Sequence, residues 1–284
     1  MILCADDYGL SRAIDEGIIE LIEEGKISSV SCMVSGKNIE SSYLHLKKFI
    51  NKVDIGIHLT LTEIKPLTHC PVHSGIAGRE AEPLTFKDLL LNSYLGNVNS
   101  DVLVEEISAQ IEKFISLFGK FPDSIDGHQH VQQLPVIRQA IVATLPQWDT
   151  GRFYIRTALL PMRWLLFKGL PFNSSVFLGN FFITYPGRSL TRLLEKQNIP
   201  HNRYLLGYYD YEKDIPFEKI FFSYMSINPG AKDVFFCHPG HKDINGYADD
   251  PIKKSRTDNF NFLKSSTYNK LLNMGSIVIN RFPQ

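Results

Sequence analysis

Ile2-Leu3-Cys4-Ala5-Asp6-Asp7-Tyr8-Gly9-Leu10-Ser11 opens the chain, and its reading decides the fold. An apolar run of β character ends in two adjacent carboxylates and a glycine turn. Parallel α/β enzymes gather metals and catalytic acids at such C-terminal strand tips. Successive strand residues point to opposite faces, so both carboxylates serve one site only if the strand ends between them. A solvated Asp-Asp turn is the competing reading, because Asp is a common turn residue.

The residues that follow extend the α/β rhythm. Ser11 caps a helix from about Arg12 to Glu24, with Ile14, Ile18, Leu21 and Ile22 on its apolar face and Gly25 ending it. Ile27 to Val34 reads as a second strand, Glu40 to Ile50 as a second helix, and Val53 to Leu61, with His58 inside it, as a third strand. Strand and helix alternating in this way predict parallel βα units. The segment from Glu63 to Pro83 is a long loop of the kind that forms lids or binding loops, with His69 and His73 read as solvated. An amphipathic helix spans Asp101 to Phe118, and Phe121 to Val131 reads as a short strand ending in Asp126-Gly127-His128-Gln129-His130. A helix follows Pro135, and Phe153 to Arg156 looks like a strand. Ser189 to Gln197 forms a short helix, with another after Pro216. Asp233 to Cys237 is a strand ending in His238-Pro239-Gly240, before a terminal helix over Arg256 to Asn273 and a last strand at Ser276 to Ile279. No repeat or linker interrupts the chain, so residues 1–284 read as a single domain.

Composition narrows the function classes. The 284 residues are 44% hydrophobic and 21% charged, ordinary for a globular protein with a sizeable core. Thirty basic residues balance thirty acidic ones, so no global field attracts nucleic acid or an anionic membrane. Cys4, Cys32, Cys70 and Cys237 form no C-x-x-C pair and read as free thiols. The first strand begins at residue 2 with no basic region before it, and no apolar stretch reaches the ~18 residues of a membrane span. The expectation is a soluble cytoplasmic protein without a membrane span.

Four strand ends carry polar chemistry: Asp6-Asp7, His58, the 126–130 run and His238. A lone His in an apolar strand is usually a packed core residue, and His-x-His on one strand places both rings on one face. Together, one carboxylate and two imidazoles from three tips make a three-ligand site with open positions, and the second Asp is left free as a base.

Ala5 to Ser11, Ser29 to Gly36, Gly56 to Thr62, Pro66-Leu67, Asp126 to Val131 and Cys237 to Gly240 resemble, in order, the motifs of the YdjC-like carbohydrate deacetylases (the ChbG/HpnK group). The resemblance implies a distorted TIM-barrel-like (β/α) fold and metal-dependent removal of acetyl groups from N-acetylated sugars, such as chitooligosaccharides or a related glycan or glycolipid precursor. It further implies Asp7, His58 and His128 as ligands of one divalent metal, Mg2+ or Zn2+, and Asp6 as general base. His238 would be the acid or transition-state donor, favoured as a cation by a neighbouring carboxylate. His130, Asp126 and Arg256 would stand behind the ligands or against the substrate. Family members are often homodimers. Two positions depart: Gln132 replaces a third His of the run, and Asn259 replaces the Glu of Arg-x-x-Glu. The aromatic residues Phe153, Tyr154, Trp164, Phe177, Phe181, Phe182 and Tyr185 would shape a pocket of this chain's own or pack its helices. The competing functions are a metal-dependent hydrolase of another bond and an inactive sugar-binding relative.

Overall fold

The computed structural model describes residues 1–78, 82–160, 174–211, 213–242 and 250–283, without the side chains of residues 72 and 174–183. Seven strands form one all-parallel sheet: β1 (Ile2–Tyr8), β2 (Ser29–Cys32), β3 (Asp54–Leu59), β4 (Ser124–Gly127), β5 (Tyr154–Ile155), β6 (Leu205–Leu206) and β7 (Val234–Cys237). Their order is β5-β4-β3-β2-β1-β7-β6. The sheet curls until its ends approach, where Ile155 bridges His201 in parallel. Asn202 ties this seam, accepting from Thr157 N at 2.6 Å and donating to Thr157 O at 2.9 Å.

Helices α1 (Arg12–Glu23), α2 (Ile39–Lys47), α3 (Phe86–Leu95), α4 (Ser100–Phe118), α5 (Ile137–Thr144), α6 (Ser174–Lys196), α7 (Phe217–Met225), α8 (Lys253–Lys264) and α9 (Ser266–Asn273) accompany the sheet. Ser11 caps α1 by accepting from Ile14 N, as the sequence implied.

Alternation along the strands sorts the core into two clusters. Leu3, Ala5, Val30, Ile55, Ile57, Ile125, Ile155 and Phe235 face outward beneath the helices. Ile2, Cys4, Tyr154, Val234 and Phe236 fill the barrel interior. Period two then continues the interior rows to Asp6, Ser31, His58, Asp126, Arg156 and His238 at the C-terminal ends. Gly56 lies on such a row, where a Cβ would come within 1.9 Å of Ser124 Oγ; only glycine permits that approach.

Several expectations are corrected. Residues 276–279 form no strand; Val278 O accepts from the Met1 ammonium just before β1. The terminal helix is two helices, broken at Ser265, whose side chain caps α9 by accepting from Tyr268 N. The helix read at Ser189 to Gln197 is the end of the longer α6. β4 stops at Gly127, and Gln129 and His130 take φ of 54° and 60°, so the His-x-His run lies on a tight turn rather than a strand. The described residues of the 63–83 segment hold one 3-10 turn, Val72–Ser74, and otherwise run as loop, with His69 and His73 exposed; residues 79–81 lie outside the described residues.

Candidate metal centre and active-site cleft

Asp6 and Asp7 reach the same site by a different route from the one the sequence suggested. β1 does not end between them. Asp7 adopts φ of 70°, and the pairing of β1 with β2 slips between Ala5 and Tyr8. This bulge adds a residue to the strand and turns Asp7 inward beside Asp6. Gly9, at φ of 95°, completes the turn, and its N–H is held by Asp15 Oδ1 at 2.6 Å.

Asp7 Oδ1 lies 3.3 Å from His58 Nε2 and 3.4 Å from His128 Nδ1. These three groups could hold a metal ion, their ligand atoms lying within 4.8 Å of one another. The other nitrogen of each ring is engaged by a carboxylate. His58 Nδ1 sits 2.5 Å from Asp126 Oδ1, which also accepts from Ser31 Oγ. His128 Nε2 sits 3.1 Å from Glu63 Oε2. Carboxylates at the far nitrogens favour ring protons there, so each ring in its neutral form turns a lone pair, on Nε2 of His58 and Nδ1 of His128, toward Asp7. Asp7 Oδ1 is buried without a hydrogen-bond donor. One carboxylate and two imidazoles converging in a buried site need a positive charge among them, either a divalent metal or, without it, a proton on His58, and the donor set fits such a metal.

The electrostatics agree. Burial opposes a charge on His58, but Asp126 and Asp7 outweigh it and push the pKa up to about 10. Burial also disfavours the Asp7 anion, yet Arg256 and the two imidazoles hold its carboxyl well below the usual range. Arg256 reaches Asp7 Oδ2 at 2.8 Å and Asp250 Oδ2 at 2.5 Å.

Asp6 is gripped from behind. Arg156 NH1 and NH2 each donate to one of its carboxylate oxygens at 2.8 Å, while Arg156 Nε lies 3.1 Å from Asp126 Oδ2. Arg156 is fully buried. Oδ1 accepts also from the Cys4 thiol at 3.4 Å, so the fork leaves a lone pair on Oδ2 for chemistry. One guanidinium therefore aligns the candidate base and the carboxylate behind His58.

His238 follows the end of β7. Its Nδ1 is 3.3 Å from the Tyr211 hydroxyl, its ring packs edge-on to Phe236, and its backbone N–H donates to Asn259 Oδ1 at 3.0 Å. Asn259 thus has a structural task at the position where the resemblance departs. Burial pushes His238 down to about 4, overriding Asp7 and Asp6. Burial among a phenol and an apolar ring therefore opposes the charge that the expected acid role for His238 requires. Tyr211, whose hydroxyl burial holds well above its usual range, keeps its proton. When that hydroxyl donates to Nδ1, the proton of a neutral His238 stands on Nε2.

His130 is not among the grouped ligands. Its ring packs against Phe236, its Nδ1 has no partner, and burial followed by Arg156 pushes it to about 3. Gln132, where the family often has His, donates to Arg156 O at 3.0 Å and so braces the β5 end.

A clamp crosses the mouth of the centre. Gln129 donates to Glu63 Oε1 at 2.7 Å and accepts from Thr62 Oγ1 at 3.0 Å, while Glu63 also holds His128. Glu63, Gln129 and His130 all lie at positive φ. Non-glycine residues in that region cluster where surrounding structure enforces them at functional sites.

Sequence reasoning missed Arg156, Glu63 and Tyr211. Arg156 directly follows the apolar pair Tyr154-Ile155, the same strand-tip position as the residues that were found. Glu63 directly follows the Gly56 to Thr62 motif. Tyr211 carried no such signal.

The centre floors a cleft of about 520 Å³. Trp164 lies outside the described residues, as do the side chains of Phe177, Phe181 and Phe182; Tyr185 is exposed, and Phe153 packs against Phe121. Among the described residues, no helix is long and apolar enough to cross a membrane.

A curled parallel α/β sheet with an Asp/His/His group and a second carboxylate at its C-terminal rim defines a class of barrel-like proteins whose rim residues could hold a metal ion. Within it, the chain belongs to the YdjC-like protein family, whose model matches residues 1–274. A chitooligosaccharide deacetylase of Salmonella paratyphi B (strain ATCC BAA-1250 / SPB7) is 30% identical over 139 residues, 48% of this chain and 52% of that protein. The match therefore spans about half the length of that relative. A crystal structure from Enterococcus faecalis V583, provisionally described as a cellobiose-phosphate cleavage protein, superposes with a TM-score of 0.71 at 18% identity, covering 99% of this chain and 96% of that one.

Proposed function

We propose that the chain, as a single domain of residues 1–284, is a metal-dependent carbohydrate deacetylase that hydrolyses the acetamide of an N-acetylated sugar. The observation that carries this reading is the pairing of a three-donor cluster, Asp7, His58 and His128, with a second, Arg-oriented carboxylate, Asp6, on the residue before Asp7. Family membership and the deacetylase relative support the choice of bond. Two imidazoles and one carboxylate suit Zn2+ better than Mg2+, which prefers an all-oxygen, water-rich shell.

A divalent cation at the cluster supplies a Lewis acid that acidifies water and polarises a carbonyl oxygen. The chain does the rest. Asp6 accepts the proton of the attacking water through the lone pair left open on Oδ2. His238, neutral, offers Nε2–H to the oxyanion that develops on the acetyl carbon's oxygen. The proton then held by Asp6 is the one the departing amine requires, so protons balance over the cycle. Asp126 and Glu63 hold the two imidazoles in the tautomers that ligation needs.

The test is acetate release from a panel of N-acetylated sugars by chelator-stripped protein resupplied with Zn2+, Mg2+, Co2+, Ni2+ or Mn2+. Acetate that appears only with metal is the expected result. No acetate under any metal would overturn the reading in favour of another bond or a binding role.

A further inference from the structure

Two polar residues of α4 take no part in the chemistry above. Glu106 and Gln110 stand one helical turn apart, and both are completely buried. A buried carboxylate is costly unless its oxygens are taken up by donors or a cation stands beside it. Among the described residues the donors to Glu106 are all neutral. Its Oε1 accepts from Leu67 N at 3.0 Å and Gln110 Nε2 at 2.7 Å, and its Oε2 from Thr68 N at 2.8 Å and Thr68 Oγ1 at 2.7 Å. Two donors on each oxygen use the full acceptor capacity of an ionised carboxylate.

Gln110 grips the backbone just past β3. Its Oε1 accepts from Thr60 N at 3.0 Å, and its Nε2 donates to Thr60 O at 2.9 Å. One turn of α4 therefore fastens both ends of the 60–68 stretch, and between the two anchors lies the clamp. Glu63 sits there with φ of 63°, its N–H donating to Leu84 O at 3.2 Å. A glutamate keeps that conformation only where its surroundings enforce it, and a stretch tied at Thr60 and again at Leu67-Thr68 supplies the enforcement. So placed, Glu63 meets His128 Nε2 at 3.1 Å and Gln129 Nε2 at 2.7 Å.

On the reading of the metal centre above, we propose that Glu106 is a positioning residue: its carboxylate fixes the loop that aims Glu63 at His128, and so sets the affinity of the Asp7, His58 and His128 group for a divalent cation. The charge matters to this role. An ionised acceptor holds its donors roughly twice as strongly as a neutral one. A glutamine at the same place would turn an NH2 group toward donors that need an acceptor. Packing alone does not account for Glu106, because an apolar side chain would fill a buried position without the cost of desolvating a charge. Three of its four bonds run to the loop and the fourth to Gln110 in its own helix, so its hold is on the loop rather than on the sheet.

The experiment measures Zn2+ affinity, by competition with a chromophoric chelator, for wild type, Glu106→Gln, Glu63→Ala and the double variant. Glu106→Gln should weaken binding by about fivefold or more, somewhat less than loss of the orienting carboxylate itself. In the Glu63→Ala background the same change should cost less than about twofold, because the loop then has no carboxylate left to aim. Equal losses in both backgrounds, or no loss from Glu106→Gln, would overturn the proposal, since a residue that only supports the fold weakens the site whether or not Glu63 is present. Should Glu106→Gln fail to fold, Thr68→Val removes one donor and keeps the carboxylate. Its expected loss is about twofold or more and confined to the background that has Glu63; no loss, or one that persists without Glu63, sinks the idea. If the wild type binds no Zn2+, the metal reading fails, and nitrogen NMR of the metal-free proteins still decides this one. A fall in the share of His128 protonated on Nε2, toward that of Glu63→Ala, supports it, and an unchanged tautomer refutes it.

Discussion

Replacing Arg156 by Met tests the frame on which the site is built. The side chain is fully buried and meets two buried carboxylates, Asp6 through a two-pronged fork at 2.8 Å and Asp126 at 3.1 Å. Methionine preserves much of the volume and the contact with Phe236, so cavity formation is a small part of the effect. What is lost is charge compensation. Removing one partner of a buried ion pair costs about 3–5 kcal/mol, because the other charge stays behind unpaired. At about 2–4 °C per kcal/mol for a chain of this size, the melting temperature should fall by roughly 6–20 °C. The double variant Asp6→Asn/Arg156→Met removes one stranded carboxylate and should melt higher than Arg156→Met alone. Because Arg156 also steadies the carboxylate behind His58, the single variant should lose metal affinity, by about tenfold. The assays are thermal melts of the metal-free proteins and competition with a chromophoric chelator. A fall under about 3 °C, or a double variant less stable than the single, would refute the idea that Arg156 acts by offsetting buried charge.

Other outcomes follow from the same geometry. Asp6→Asn should bind metal within about threefold of wild type yet lose at least ~100-fold in kcat, the usual range for a general base; turnover within a few-fold of wild type would remove Asp6 from that role. Glu63→Ala should weaken metal binding by about 10–100-fold with little change in melting temperature, since Glu63 is partly exposed and acts through His128. Unaltered affinity would mean the Thr62–Gln129–Glu63 clamp does not orient that imidazole. Metal affinity should rise with pH up to about 10, because the cation must displace the proton that His58 holds. The same shift predicts that the metal-free protein loses stability as pH climbs from 6.5 toward 10: the folded state binds the proton more tightly than the unfolded chain, and that advantage disappears once the folded group titrates. Calorimetric titrations in buffers of different ionisation enthalpy, together with melts across that range, check both signs.

Much of the fold and of the candidate site was legible in the sequence. The alternation of apolar strands with capped amphipathic helices announces parallel βα units, since burial on both faces and N-cap chemistry are local requirements. Asp6, Asp7, His58, His128 and His238 were legible for a related reason: polar residues ending apolar strands stand out against their neighbours. Tertiary structure decided everything that depends on which chains meet. The sequence could not say that a bulge at Asp7, rather than a strand end, turns two adjacent carboxylates inward, because φ of 70° is imposed by pairing with β2. Nor could it show that His130 leaves the run on a turn and packs against Phe236 instead of joining His128. Arg156 is the sharpest instance. As the residue after Tyr154-Ile155 it is an ordinary strand-end arginine, and it becomes the counter-ion of Asp6 and Asp126 only because barrel curvature brings β5 across the interior to β1. Hydrophobic period and capping act between residues close in sequence, whereas charge compensation in a buried site acts through space between residues 150 positions apart.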